Sequence, residues 1–188
     1  KSNGDNRGYT YTRTQIANIM MKLGKVKQAV KELEKANQYF HETGDKIGEI
    51  FCINKLAELF NNTGNYEEAL SYYEKSVKEV RGKYFDYGEA YLYKNIAIIY
   101  HKMKNEKKAL ELLQKTLEIE ERLNAVSDIA ITKRITGMLL FEEEKNEEAL
   151  KYLLESYKLE IEAGGNNAIQ LAYAIGRTMR KLNLIKEA

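Results

Sequence analysis

The sequence contains no proline among its 188 residues, although ordinary usage of about 5% would give about nine. Proline therefore interrupts no helix, and the abundant Leu, Ala, Glu, Lys and Ile also favour helices. The single cysteine, Cys52, has no partner for an internal disulfide, so nothing indicates an oxidising compartment. No apolar run reaches the roughly 20 residues that cross a bilayer, and no signal-peptide pattern opens the chain. We therefore expect a cytoplasmic protein without membrane association.

An excess of charge of either sign is also missing. Thirty basic side chains face 28 acidic ones, which leaves a formal net charge of +2. Domains that bind nucleic acid usually have a clear basic excess or patch. Direct nucleic-acid binding is therefore a weakly supported function, and we expect no nucleic-acid partner.

Alanine marks a repeat with a period of 40 residues. It recurs in similar surroundings at Ala29, Ala69, Ala109 and Ala149. Repeats of this length are typical of solenoids built from small supersecondary units. The same period joins pairs of positions that precede each of these alanines, namely Ile16 and Ala17, Leu56 and Ala57, Ile96 and Ala97, and Thr136 and Gly137.

Each repeat is predicted to form two helices. In the second repeat, the first helix is expected to run roughly from Asp45 to Asn62, with apolar residues spaced along one face. Gly64 is expected to end it, and Glu67 and Glu68 favour the start of the next helix because its dipole attracts negative charge. Small residues in both helices are expected to let the two backbones approach closely.

These residues resemble the tetratricopeptide repeat family. The second repeat matches the family pattern at Leu56, Ala57, Phe60, Gly64, Tyr66, Ala69, Tyr73 and Ser76, and the first at Ile16, Ala17, Met20, Gly24, Val26, Ala29, Leu33 and Ala36. The resemblance implies an all-α fold, an α-solenoid of antiparallel helix pairs that forms a right-handed superhelix. The chain departs from the family where Lys104 and Glu144 replace the turn glycine, and its period exceeds the usual value of about 34 residues.

The repeat covers nearly the whole chain. We expect one solenoid over residues 1–188, with units at about 5–43, 44–83, 84–124 and 125–164 and a partial unit at 165–188. Solenoids usually end in capping repeats with polar outer faces, and neither end has this character. The chain is therefore interpreted as a fragment of a longer protein with additional domains.

No constellation of residues indicates catalysis, so we expect no enzyme and no cofactor. The two histidines, His41 and His101, have no carboxylate three or four residues before them, which argues against a helical metal site. The run Glu142, Glu143 and Glu144 is interpreted as a solvated helix surface. Cys52 lies in an apolar stretch and is interpreted as a packed residue.

The resemblance also implies a peptide-binding groove along the first helix of each unit. Its expected residues, transferred by position, are Tyr11, Thr14, Asn18, Phe51, Asn54, Glu58, Asn61, Tyr91, Lys94, His101, Arg134, Met138, Phe141, Tyr173, Arg177 and Arg180. The set contains an aromatic series at Tyr11, Phe51 and Tyr91, and a basic series at Lys94, Arg134, Arg177 and Arg180.

Two interpretations of each series remain open. The basic groups either bind an acidic segment or a terminal carboxylate, or pair with neighbouring glutamates. The aromatic rings either line the groove or pack between adjacent helices. The favoured function is a noncatalytic interaction module that binds a protein or peptide, with an acidic peptide as one candidate partner. The alternative is the sensory module of a bacterial regulator, in which a signalling peptide controls an attached effector domain.

Overall fold

A computed structural model describes residues 3–80, 86–164 and 168–184, and this part of the chain contains nine α-helices and no strand. None of these helices is long and apolar enough to cross a membrane. The helices are α1 (Asn3–Lys22), α2 (Val26–Glu42), α3 (Lys46–Asn62), α4 (Tyr66–Val80), α5 (Asp86–Lys102), α6 (Glu106–Arg122), α7 (Val126–Glu142), α8 (Asn146–Glu162) and α9 (Ala168–Lys181).

The helices form consecutive pairs within two compact units. The first unit, Lys1–Phe85, contains α1 to α4, and the second, Asp86–Ala188, contains α5 to α9. Within each unit every helix packs on the next one along the chain, and α1 also contacts α3 as α7 contacts α9. The predicted all-α solenoid of helix pairs is confirmed. The predicted unit boundaries near residues 83 and 165 lie outside the described residues, and a single solenoid over the whole chain stays a prediction.

Small residues lie where the two helices of a pair meet. Ala17 and Ala29 are completely buried in one apolar cluster of the first unit, and Ala97 and Ala109 are completely buried in one cluster of the second. In the fourth pair the contact leaves no room for a side chain, because a Cβ added at Gly137 would lie 2.8 Å from Leu153 Cγ. The pairs are thus held by backbones in close approach, with larger apolar side chains packed around them.

Turns of one conformation separate the helices of each pair. After α1, Lys25 N donates to Met20 O at 2.9 Å and Gly24 has a φ of +72°. This is the Schellman arrangement, which places one residue in the left-handed region. Lys104 and Glu144 occupy the same turn position with φ values of 60° each, although neither is glycine. The missing glycines therefore change the local strain and leave the turn in place.

A buried carboxylate lies at the joint between α2 and α3. Glu49 is 4% exposed, and its two oxygens lie 2.8 Å from Lys46 Nζ and 3.2 Å from His41 Nδ1. The hydrogen bond from Lys46 lowers the pKa of Glu49, burial opposes this shift, and His41 adds to it, so the pKa lies below its usual value of 4.5. The native state therefore favours the ionised form of Glu49.

Replacing Lys104 by glycine is expected to stabilise the protein by about 0.5 to 1 kcal/mol, because the left-handed conformation strains a residue with a Cβ. The matched control is Gly64→Ala. Its added Cβ meets no atom within 4 Å, so the loss of about 1 kcal/mol that we expect comes from the backbone conformation alone. Urea unfolding followed by circular dichroism measures both changes. A lower midpoint for Lys104→Gly would contradict the strain at this turn.

The Glu49→Gln variant tests the buried carboxylate through the pH dependence of stability. Because the pKa is lowered in the folded state, the stabilisation is present above the unfolded-state value near 4.5 and is lost as the pH falls through the folded-state pKa. The variant should therefore have a lower urea midpoint than the wild type at pH 7, and the difference should shrink below pH 4.5. Glu74→Gln, at an exposed site on α4, is the control. A difference independent of pH would refute this prediction.

Candidate functional site

The predicted groove residues all lie on the first helix of a pair or on α9. In the first unit they occupy α1 and α3, and in the second unit α5, α7 and α9. Their common position follows from the repeat and does not depend on what they bind. Whether each side chain is available to a ligand depends on its own contacts.

The aromatic series divides between packing and exposure. The ring of Tyr11 lies 5.9 Å from that of Phe51 and 5.0 Å from that of Phe40, centroid to centroid. These distances are typical of packed aromatic pairs, so Tyr11 and Phe51 join the core between helices. Tyr91, by contrast, is 48% exposed. The aromatic residues therefore do not share one role.

The remaining first-unit residues are mostly engaged within the protein. Thr14 is 1% exposed and donates to the carbonyl of Tyr11 at 2.7 Å, so its side chain is closed to a ligand in this structure. Asn18 and Glu58 border an open hollow of about 240 Å³. Glu58 accepts a hydrogen bond from Lys55 at 2.7 Å. Asn54 and Asn61 lie on the same helix, both partly buried.

Cys52 is a packed residue whose thiol has low reactivity. The residue is completely buried in a cluster with Ala36 and Phe40. Burial raises the pKa of its thiol to about 12, so the reactive thiolate is scarce at neutral pH. The predicted packing role of Cys52 is confirmed.

The ammonium group of Lys94 is bound internally. Its Nζ lies 2.8 Å from Glu120 and 3.8 Å from Asp128, and its side chain is 12% exposed. Glu120 on α6 is itself 1% exposed, and its second carboxylate oxygen has no hydrogen-bond partner in the described part of the chain. Of the two interpretations of the basic series, the contact with Glu120 favours internal pairing at Lys94, because that carboxylate neutralises the charge inside the fold.

Sequence reasoning missed Glu120, although the repeat contains a signal for it. The positions that follow the period from Thr14 hold Asn54, Lys94 and Arg134, while those that follow it from Phe40 hold Val80, Glu120 and Glu160. In the third and fourth repeats, the series from Thr14 holds basic residues and the series from Phe40 holds acidic ones. Glu160 is 6% exposed and therefore also buried.

His101 lies between two carboxylates from different helices. Its Nδ1 is 2.8 Å from Glu106 at the start of α6, and its Nε2 is 2.8 Å from Glu142 at the end of α7. Burial lowers the pKa of His101, but the two carboxylates raise it by more, so the pKa lies above its usual value. The ring therefore connects three helices of the second unit.

Two exposed cations of the second unit, Arg177 and Lys181, lie over one aromatic ring, that of Phe141. The guanidinium carbon of Arg177 lies 5.2 Å from the ring centroid of Phe141 and 5.9 Å from that of Tyr173. Lys181 Nζ lies 5.2 Å from the centroid of Phe141. Tyr173 is 70% exposed. Cation–π contacts hold both exposed side chains in place, and Lys181 Nζ also lies 3.8 Å from a carboxylate oxygen of Glu144.

An open pocket of about 130 Å³ lies beside this ring. A cavity of about 150 Å³ holds a benzene molecule, so the pocket is large enough for much of one large apolar side chain. Its wall combines apolar groups with one cation and one anion. The lining residues are Met138, Phe141, Glu142, Leu153, Ala174, Arg177 and Thr178.

Arg134 and Arg180 complete the basic series. Nη1 of Arg134 lies 3.9 Å from Met138 Sδ, and its buried Nε has no hydrogen-bond partner among the described residues. Arg180 is an exposed residue in the last turn of α9. The predicted basic series therefore contains one internally paired member, Lys94, and three members that differ in exposure.

Replacing Lys94 by methionine is expected to destabilise the protein by about 3 to 5 kcal/mol, since it leaves the buried carboxylate of Glu120 without its cation. The double variant Lys94→Met with Glu120→Met should recover most of this loss, because apolar pairs often replace buried ion pairs at little cost. Lys158→Met, at the exposed pair with Glu162, should change stability by less than about 1 kcal/mol. Urea unfolding measures all three. A double variant as unstable as the single one would show that Glu120 does not depend on Lys94.

Comparisons with solved structures identify helical repeat proteins with the same fold. BtubC (BKLC) from P. vanneervenii aligns with a TM-score of 0.84 at 16% identity, over 94% of this chain and 74% of that one. A putative kinesin light chain from Podosopora anserina, with nearly identical TPR-like repeats, gives 0.76 at 14% identity, over 95% and 89%. The apo form of RapI gives 0.80 at 15% identity, over 93% of this chain and 49% of RapI.

The sequence comparisons identify a family but no individual curated relative. No curated protein matches the chain. A family profile described as tetratricopeptide repeat matches residues 9–78 and 49–122, which together cover more than half of the chain. The repeat, the paired helices and this match agree, and the chain belongs to the tetratricopeptide repeat family.

Proposed function

We propose that the chain is a noncatalytic protein-interaction module that binds a peptide or protein segment on the surface formed by α7 and α9. Through this contact it scaffolds or regulates a larger protein or complex. The supporting observation is the position of Arg177, which lies over Phe141 and Tyr173 at the edge of an open pocket. We call this surface the α7–α9 face, defined by Met138, Phe141, Tyr173, Arg177 and Lys181.

The chemistry of the α7–α9 face favours a segment with one large apolar side chain next to carboxylates. Met138 and Phe141 give the pocket its apolar wall, and exposed Tyr173 extends the apolar surface beyond it. Arg177 and Lys181 supply positive charge over the ring of Phe141. A guanidinium held against aromatic rings loses little further freedom when it pairs with a carboxylate, so such a contact is directional and strong.

Other members of the basic series are less suitable contacts. Lys94 already pairs with Glu120, and the Nε of Arg134, a residue of α7, is buried. The charge reversal Arg134→Glu would introduce an acid into that partly buried place and disturb folding as well as binding. Arg177 is exposed, so its replacement separates the two effects.

The experiment is a selection from acidic-biased and random peptide libraries on the purified chain, followed by titration of the selected peptides. We expect peptides with a large apolar residue flanked by Asp or Glu, and at least tenfold weaker binding to Arg177→Ala. Arg122→Ala is the matched control, since it removes an exposed arginine of the same unit on α6. It should bind as the wild type does.

Two outcomes would contradict the proposal. Unchanged affinity in Arg177→Ala would remove the α7–α9 face as the binding site, and the absence of any selected peptide would favour a folded partner on another surface. The sensory alternative also predicts that a bound signalling peptide changes the shape of the chain. Small-angle scattering with and without peptide tests it, and identical curves would argue against it.

A further inference from the structure

One group of side chains that could ligate a metal consists of residues that do not line the pocket. Nδ1 or Nε2 of His101 and one carboxylate oxygen each from Glu106 and Glu143 all lie within 4.8 Å of one another. The three residues come from the end of α5, the start of α6 and the C-cap of α7. Glu142, next to Glu143 in the chain, lies 2.8 Å from Nε2 of the same imidazole.

The number of acidic residues in the chain does not by itself account for this group. The sequence has 28 acidic residues, yet among the described residues this is the only set of three His, Cys, Asp or Glu side chains that meets such a distance. The side chains of His101 and Glu106 are only 12% and 16% exposed. Three carboxylates around one imidazole leave negative charge in excess in a partly desolvated place, which favours a cation of charge two.

We propose that His101, Glu106 and Glu143 form a binding site for a divalent transition-metal ion, with Zn²⁺ as the best-fitting ion. An imidazole nitrogen together with carboxylate oxygens is a common zinc ligand set, and three protein ligands leave a fourth position for water. Coordination at about 2.0 to 2.2 Å would bring the ligand atoms to roughly 3.3 Å from one another, which side-chain rotation from the present distances can reach.

The two nitrogens of His101 have different roles in this site. Nδ1 lies 2.8 Å from Glu106 and would be the ligand atom, and Nε2, which lies 2.8 Å from Glu142, would then carry the proton and donate to that carboxylate. A carboxylate on the second nitrogen orients a ligating histidine and raises its basicity. Glu142 is therefore a positioning residue that does not contact the ion. The expectation of no metal site considered ligands along one helix, whereas these ligands come from three.

A metal ion at this place would join neighbouring helix pairs. The ligands belong to the pair α5 and α6 and to the first helix of the next pair, α7. Without an ion, α7 is held to this pair by its packing on α6 and by the contact of Glu142 with His101. The ion would thus act as a structural staple within the second unit, and its binding free energy would add to the stability of the folded state.

The test uses the chain after treatment with a chelator that is then removed. Calorimetry with Zn²⁺ should give one site per chain, and Co²⁺ should give the visible absorption bands of low-coordinate cobalt. Both signals should be lost in His101→Gln and in Glu143→Gln. Glu142→Gln should bind about 10- to 100-fold more weakly, as expected for the partner of a ligating histidine.

His41→Gln is the matched control, because His41 is the other histidine and lies against Glu49 in the first unit. It should bind both ions as the wild type does. Loss of binding in His41→Gln with retention in His101→Gln would overturn the proposal, as would the absence of a wild-type cobalt spectrum. Peptide selection on Glu143→Gln keeps this result separate from the proposed function, since Glu143 does not line the pocket.

Discussion

The fold depends on the close approach of two backbones within each helix pair. Alanine or glycine at the contact allows this approach, and a Cβ added at Gly137 would lie 3.1 Å from the carbonyl oxygen of Ala149. A larger residue would separate the helices and open the apolar clusters around them. Since every pair needs the same contact, the requirement recurs with the period of the solenoid. Positions away from the contact are free to differ among repeats.

Charged residues of the second unit occupy positions of this kind, which differ among repeats. Where the first repeat has Thr14 and Phe40, the third has Lys94 and Glu120 in a buried ion pair. Matched positions that hold an uncharged polar and an aromatic residue in one repeat thus hold an ion pair in another. A basic residue at a groove position is therefore not by itself a recognition residue. Its partner inside the fold decides whether its charge reaches a ligand.

The same distinction explains how far the sequence could predict the structure. Helix pairs were predictable, because Ala29, Gly64 and their equivalents report a local requirement repeated along the chain. The site was predictable only as a set of positions. The side chain of Thr14 is buried, and His101 contacts Glu142, which is 41 residues away in the chain. Both facts depend on contacts between helices, and the spacing of residues within one helix does not report such contacts. Comparing charge signs between matched repeat positions would have identified Glu120.

The α7–α9 face exists only while α9 is docked. Leu171 and Ile175 pack with Leu153 of α8 in one cluster, and this contact holds Arg177 over Phe141 of α7. In a solenoid the stability of a helix comes from its immediate neighbours, so the docking of α9 depends on its packing against α8 and its contacts with α7. A ligand that contacts both α7 and α9 binds only the docked state and must stabilise it by mass action. Binding at the proposed α7–α9 face and the docking of α9 are therefore linked, and interactions that strengthen the α8–α9 contact should also raise affinity.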